Sequence, residues 1–162
     1  MTIRIFVVGG TFDKEYNEIT ETLFFKNTHV QDMLKLGRCQ IDLDIRTLML
    51  IDSLTMTDED RKIILDNCKK AKEEMIIITH GTGTMAETAQ LLGKNIKDKT
   101  IVLTGAMVPY VFGSSDGLFN LGCAIAFAQS LPHGVYIAMN GRYFDADNVR
   151  KNTRTGVFEV VK

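Results

Sequence analysis

Apolar positions in this chain fall in short unbroken runs, and four of the runs end in glycine or small polar residues. Ile3–Val8 leads into Gly9-Gly10-Thr11, and Met75–Thr79 into His80-Gly81-Thr82-Gly83-Thr84. Ile101–Thr104 leads into Gly105-Ala106-Met107, and Val135–Met139 into Asn140-Gly141. Runs this short that are apolar throughout read as strands buried on both faces. Residues 40–50 alternate and then become apolar, which gives a fifth strand. Between the strands the period changes. Asn27 or Thr28 can cap a short helix through Leu36, closed by Gly37. Thr57 opens a helix with acid in its first turn, and Ile64, Cys68 and Ala71 form its buried face at i, i+4, i+7. Thr84-Met-Ala-Glu87 is a capping box that opens a helix to Leu92. Ser114 or Ser115 caps a long apolar helix over 116–130. Residues 9–27 read as a polar loop, and 142–144 with 156–161 as a closing pair of short strands.

This alternation predicts an α/β fold: a three-layer, open, mostly parallel twisted sheet with helices on both faces, in the flavodoxin or Rossmann manner. A length of 162 residues fits one domain, 1–162. The ligand crevice of such a sheet lies outside the carboxyl ends of its strands. The first candidates for chemistry are therefore the hydroxyls of Thr11, Thr82 and Thr84. Gly9 and Gly10 would let backbone N–H groups approach a bound anion. Thr82 and Thr84, at a helix N-terminus, suit a carboxylate or phosphate. A threonine hydroxyl attacks only when a base takes its proton. Tyr16, Lys151 folded back to the strand ends, or a carboxylate from elsewhere could help, lysine only if desolvation or a nearby cation favours its neutral form.

Composition narrows the partners. A net charge of -1 leaves no electrostatic footprint for nucleic acid. The basic clusters Lys69–Lys72 and Arg150–Arg154 read as solvated faces. No apolar run approaches the ~20 residues that span a bilayer. The chain enters a strand at its start, so no signal peptide is expected. Cys39, Cys68 and Cys123 are far apart and odd in number, which suits free thiols and a reducing, cytoplasmic setting, with Cys68 and Cys123 as core fillers. His29, His80 and His133 lack metal-ligand spacing, so no metal is expected.

Taken in order, several segments resemble the N-terminal, catalytic domain of the bacterial L-asparaginase family. They are Gly9-Gly10-Thr11, Asp52-Ser53-Leu-Thr-Met56, Thr79-His-Gly-Thr-Gly-Thr-Met-Ala-Glu-Thr-Ala89, Gly105-Ala-Met-Val-Pro109, Ser115-Asp-Gly-Leu-Phe-Asn-Leu121, Gly134-Val-Tyr-Ile-Ala-Met-Asn140 and Val149-Arg-Lys-Asn-Thr153. Their order and spacing cover nearly the whole chain. The resemblance implies hydrolysis of the side-chain amide of L-asparagine to L-aspartate and ammonia, with no cofactor. It implies Thr11 as primary nucleophile with Tyr16 beside it, and Thr82 as second catalytic threonine, paired with Lys151. Asp52, Ser53, Gly10, Gly81 and Gly83 fall in its substrate-binding segments, with Ser53 on the substrate's α-carboxylate and Ala106 offering backbone to the amide end.

Two departures stand out. The family pattern has an aspartate after the second threonine, which holds the substrate's α-ammonium and meets the lysine; here it is Gly83. Losing a charged partner in a buried site costs on the order of 2–5 kcal/mol. Family members also carry a C-terminal domain that supplies a carboxylate to a neighbour's site, and that domain is expected to be absent here. Glu21, Asp145, Asp147 or another copy of the chain are the possible substitutes, and a homodimer or dimer of dimers is expected. The leading reading is an asparaginase-like amidohydrolase. A non-catalytic aspartate- or asparagine-binding domain is the alternative, favoured by Gly83. A nucleotide-binding flavodoxin-like domain is a third, without a GxGxxG or Walker sequence in its support.

Overall fold

The computed structural model describes residues 1–162. The chain runs β1 (Thr2–Gly9), β2 (Lys14–Asn17), β3 (Thr22–Phe25), α1 (Val30–Leu36), β4 (Asp42–Ile51), α2 (Asp58–Lys70), β5 (Met75–Thr79), α3 (Met85–Asn95), β6 (Thr100–Thr104), α4 (Gly117–Ser130), β7 (Gly134–Met139), β8 (Arg142–Asp145), β9 (Arg150–Lys151) and β10 (Phe158–Glu159). Short 3-10 turns stand at Thr11–Asp13, Ser53–Thr55 and Tyr110–Phe112. The main sheet has the order β4-β1-β5-β6-β7-β8. Its first five strands are parallel, and β8 returns antiparallel to β7. Asn140 and Gly141 make that hairpin with φ values of 56° and 79°, the positive pair that tight β-turns require.

Alternation along each strand feeds two cores. Phe6, Val8, Ile76, Ile78, Ile101 and Leu103 pack with Ile64 and Cys68 of α2 and Met85 and Leu92 of α3. Ile3, Ile5, Val7, Ile77 and Val102 pack on the other face with Met33 of α1 and Leu121 and Ile125 of α4. The three-layer α/β reading of the sequence is thus the observed architecture. Stepping from β1 out to β4, and then back across β1 to β5, creates a topological switch point between β1 and β5. The crevice there lies beyond the carboxyl ends of the two strands.

Several local expectations are corrected. The loop over 9–27 contains an antiparallel hairpin, with Lys14 opposite Phe25 and Tyr16 opposite Leu23. Its residues point to a nearly exposed ribbon, so no apolar period marks it. His29 takes the N-cap of α1, while Thr28 Oγ1 accepts from the Val30 N–H. Ala71 ends α2 rather than extending it. Thr84 does cap α3 in position, but its side chain makes no cap bond: the hydroxyl donates to the Ser53 carbonyl at 2.9 Å, and Glu87 pairs with Arg61. The closing strands do not pair with each other; β8 joins the main sheet and β10 pairs with β9. Cys68 is buried, but Cys123 is only half-buried.

Candidate active site

Gly10 leaves β1 with φ of 80°, and its N–H donates to the Ile51 carbonyl at the end of β4. A Cβ built on Gly10 would lie 2.4 Å from Gly81 Cα. The chain exits of β1 and β5 therefore touch backbone to backbone, and only glycine at position 10 allows it. A Cβ on Gly81 would in turn meet Ser53 Oγ at 2.6 Å. Three strand ends, those of β1, β4 and β5, thus converge on one spot.

Ser53 is buried, and its Oγ accepts from the Thr84 N–H at 3.3 Å. The loop after β5 is fixed from beneath by His80. That ring is fully buried, with Nδ1 at 2.7 Å from the Gly81 carbonyl and Nε2 at 2.8 Å from Thr88 Oγ1. A neutral ring satisfies both contacts, Nδ1–H donating and Nε2 accepting. Burial pushes its pKa down to about 4, so it stays neutral at physiological pH.

Thr82 is buried, and Lys151 of β9 reaches it across the chain, Nζ donating to Thr82 Oγ1 at 2.7 Å. The Thr82 hydroxyl points to Met107 Sδ at 3.7 Å. Lys151 forms no ion pair with any carboxylate. A cavity of about 260 Å³ opens beside it, walled by Arg150, Asn152, Thr153, Arg154 and Glu159. Ala106 is buried in the loop after β6, and Asp116 holds the next turn by accepting from the N–H groups of Met107 and Val108. Asn120 ties that loop to the end of β7, donating to the Gly105 carbonyl and accepting from the Asn140 N–H.

Thr11 begins the 3-10 turn directly after Gly10, half-buried, and its hydroxyl makes no hydrogen bond. Tyr16 is 51% exposed on the hairpin, and its hydroxyl makes no hydrogen bond, to Thr11 or otherwise. The sequence residues thus divide. Gly10, Gly81, Ser53, Gly83, Thr82 and Lys151 are brought together by direct contacts, and Thr11 is carried there by its chain neighbour. Tyr16 stands apart on its ribbon. Thr84 is occupied with Ser53. Asp147 and Asp145 line a separate cavity of about 400 Å³ with His133 and Lys97, at the start of β7 and so at the far end of the sheet. Glu21 sits in the exposed turn of the hairpin.

Sequence reasoning passed over Lys14. Its Nζ pairs with Asp52 Oδ2 at 2.5 Å and lies 5.7 Å from the centre of the Phe25 ring. The Lys14 hydrogen bond holds the Asp52 carboxyl below the usual range, helped by the Leu54 N–H. The pair joins the Thr11 segment to the Ser53 segment. A lysine three residues past Thr11 carried no signal, because its partner is set by the fold. Asp13, two residues past Thr11 in the same 3-10 turn, is buried and accepts from the His29 N–H and the Thr28 hydroxyl; burial raises its pKa.

Comparison with known proteins matches this arrangement to one group. Residues 2–160 fit the family model described as Asparaginase, N-terminal. The chain is 34% identical over 159 residues to an L-asparaginase of Thermococcus kodakarensis, covering 93% of this chain and 48% of that enzyme. It is 30% identical over 166 residues to L-asparaginase 2 of Bacillus subtilis, covering 94% and 44%. The solved structure of the thermostable L-asparaginase from T. kodakarensis superposes with a TM-score of 0.86 at 26% identity, over 99% of this chain and 51% of that one. The chain spans half or less of the length of the curated relatives it matches.

Proposed function

This chain belongs to the asparaginase family, in its N-terminal domain, and on that footing we propose that it is an amidohydrolase that releases ammonia from the side-chain amide of L-asparagine. The observation that carries the reading is the 2.7 Å contact between Lys151 and Thr82, made across 69 residues at the switch point where Gly10 meets Gly81. In this reading Thr11 Oγ1 attacks the amide carbon, and its proton passes to the departing nitrogen. The C–N bond breaks, leaving a threonine ester and ammonia. Water then hydrolyses the ester and restores the Thr11 hydroxyl. Lys151, donating to Thr82, orients that hydroxyl for the water or for the developing oxyanion; as a base it would act only in its neutral form. Ser53, aimed between Gly81 and Gly83, is the donor for the substrate's carboxylate. Gly10, Asp52 and Ala106 shape the walls, and Tyr16 closes over Thr11 when the hairpin folds in. The reaction needs no cofactor.

The free hydroxyl of Thr11 favours one further reading: with no base in contact, the domain binds the amide or its acid without turning it over. Thr11→Val, which keeps the volume and removes the hydroxyl, separates the two. Ammonia release from L-asparagine is expected to fall by at least about a hundredfold, the scale of a lost nucleophile. Retention of most of the activity would remove Thr11 from the role, and no activity in the parent, with aspartate bound in calorimetry, would establish the binding reading.

A further inference from the structure

Part of the basic cluster Lys69–Lys72 lines a groove. Lys69 and Lys70 close α2, where positive charge suits the helix dipole. Lys72 lies past the helix. With Lys70 it borders a groove of about 370 Å³ that Arg4 of β1 and Arg46 of β4 also line, together with Phe6 and Asn67. The groove runs between the end of α2 and the β4 edge of the sheet. Arg4 stands opposite Asp44 and Ile76, near the amino ends of β4 and β5. Six residues separate Arg4 from Gly10, about 20 Å of extended strand. Groove and candidate active site therefore lie toward opposite ends of the sheet.

Arg4 is the fixed donor of this groove. It is only 7% exposed. Its Nε and Nη2 grip both oxygens of Glu73, at 3.2 and 2.9 Å, and Nη2 also meets Asp44 at 2.9 Å. Its Nη1 is buried and has no acceptor in the protein. The Phe6 ring, 5.6 Å from the guanidinium carbon, offers none. A buried charged donor left unpaired is costly, and native folds keep few of them.

The charge balance points the same way. Four cations line the groove and no carboxylate does. The two adjacent carboxylates, Asp44 and Glu73, are both engaged by Arg4, and Arg46 comes within 4.0 Å of Asp44. Lys70 and Lys72 form no ion pair. Four cations against two carboxylates leave an excess of two positive charges. The outer charges do not alter it. Lys69 and Asp66 of α2 offset each other, Asp42 accepts from the Thr2 hydroxyl, and Glu74 faces His133. Buried Lys99 donates to the carbonyls of Ala71 and Glu73, masking the negative pole where α2 ends.

We propose that this groove is a second binding site, which takes a small phosphate-bearing molecule such as a phosphomonoester or diphosphate. Arg4 Nη1 is its central donor, and Arg46, Lys70 and Lys72 neutralise the anion from the rim. A guanidinium fork matches the geometry of phosphate oxygens, and an excess of two charges matches a divalent anion better than a single carboxylate. The volume is at the small end of the range for small-molecule sites, which leaves room for a phosphate and a modest substituent.

Calorimetry on the full chain with sodium phosphate, sodium diphosphate and succinate, at physiological ionic strength and near-neutral pH, tests the proposal. One-to-one binding of phosphate or diphosphate is expected with Kd below about 1 mM, at least about tenfold tighter than succinate. No saturable binding of either phosphate, or succinate bound as tightly, overturns it. Lys70 and Lys72 are exposed, so Lys70→Gln with Lys72→Gln leaves the core intact and is expected to weaken diphosphate at least about tenfold. Lys35→Gln with Lys62→Gln removes the same charge from exposed positions elsewhere and is expected to weaken it less than about threefold. Equal losses from the two pairs would mean general attraction to a basic surface and overturn the site. Arg4→Lys keeps the charge and removes Nη1; unchanged affinity in the folded variant overturns the role of Arg4. Where Arg4→Lys does not fold, exposed Arg46→Gln decides, with at least about a tenfold loss expected and an unchanged affinity overturning the site. Every readout is binding, so the outcome stands apart from the amidohydrolase reading.

Discussion

His80 makes the fold sensitive to mild acid, and the sign follows from its surroundings. In the unfolded chain the ring titrates near 6.5; in the fold, burial brings it down to about 4. Between those values the unfolded state binds a proton that the folded state refuses. Stability is therefore present above the unfolded value and lost as the pH falls toward the folded one. Integrating from pH 8 to pH 5 gives a loss of about 2 kcal/mol, and the limit below the folded value is about 3 kcal/mol. In a domain of this size 2 kcal/mol lowers Tm by about 4–8 °C. The assay is urea unfolding at pH 8, 6.5 and 5, for the parent and for His80→Asn, which keeps a donor for the Gly81 carbonyl and cannot titrate. Other groups share the background. Asp13, raised by burial, gains in relative stability as its carboxyl takes a proton, while Asp52 and Glu73, held low by Lys14 and Arg4, lose theirs only under stronger acid. Both variants carry these groups, so the difference between their pH slopes belongs to His80. Equal slopes for parent and variant would refute the burial argument.

Two other predictions concern packing and assembly. Gly10→Ala combines about 1–2 kcal/mol of left-handed backbone strain with about 1–3 kcal/mol of overpacking against Gly81, and is expected to lower the urea midpoint accordingly; an unchanged midpoint would mean the two strand exits are not locked together. Self-association as a two-fold dimer is expected to cover exposed apolar side chains such as Phe119 of α4, 61% exposed, and half-exposed Phe112 and Val111; light scattering at low micromolar concentration that reads 18.1 kDa for an active protein would remove it.

Much of this architecture was written in the chain. Four of the five parallel strands announce themselves because burial on both faces forces continuous apolar runs, and the glycines that follow mark where backbones must approach. Met75–Thr79, Thr100–Thr104 and Gly134–Met139 lie within a residue of the runs seen in the sequence. Thr82 and Lys151 could be paired only through a family likeness, since 69 residues separate them and neither carries a local signal. The hairpin at 14–25 was illegible because both its faces are largely exposed, so no alternation records it. The capping box at Thr84 misled for a different reason. Its spacing was right, but Ser53 and Arg61 offered its two side chains better partners from distant elements. The Lys14–Asp52 pair was hidden likewise, each half looking like an ordinary surface charge.

The anchoring of the hairpin has a consequence for how this domain tolerates change. Asp13, at the root of its outgoing arm, grips Thr28 and His29 at the root of the returning arm. The excursion between them is a closed ring in all but covalent bonds, and its ends are fixed whatever its length. Ile19, 89% exposed at the tip, marks where extra residues would be added. Doubling such a loop costs only about 0.6 kcal/mol of closure entropy. Length and composition at the tip are thus free to drift, while Thr11, on the fixed side of the ring, keeps its place.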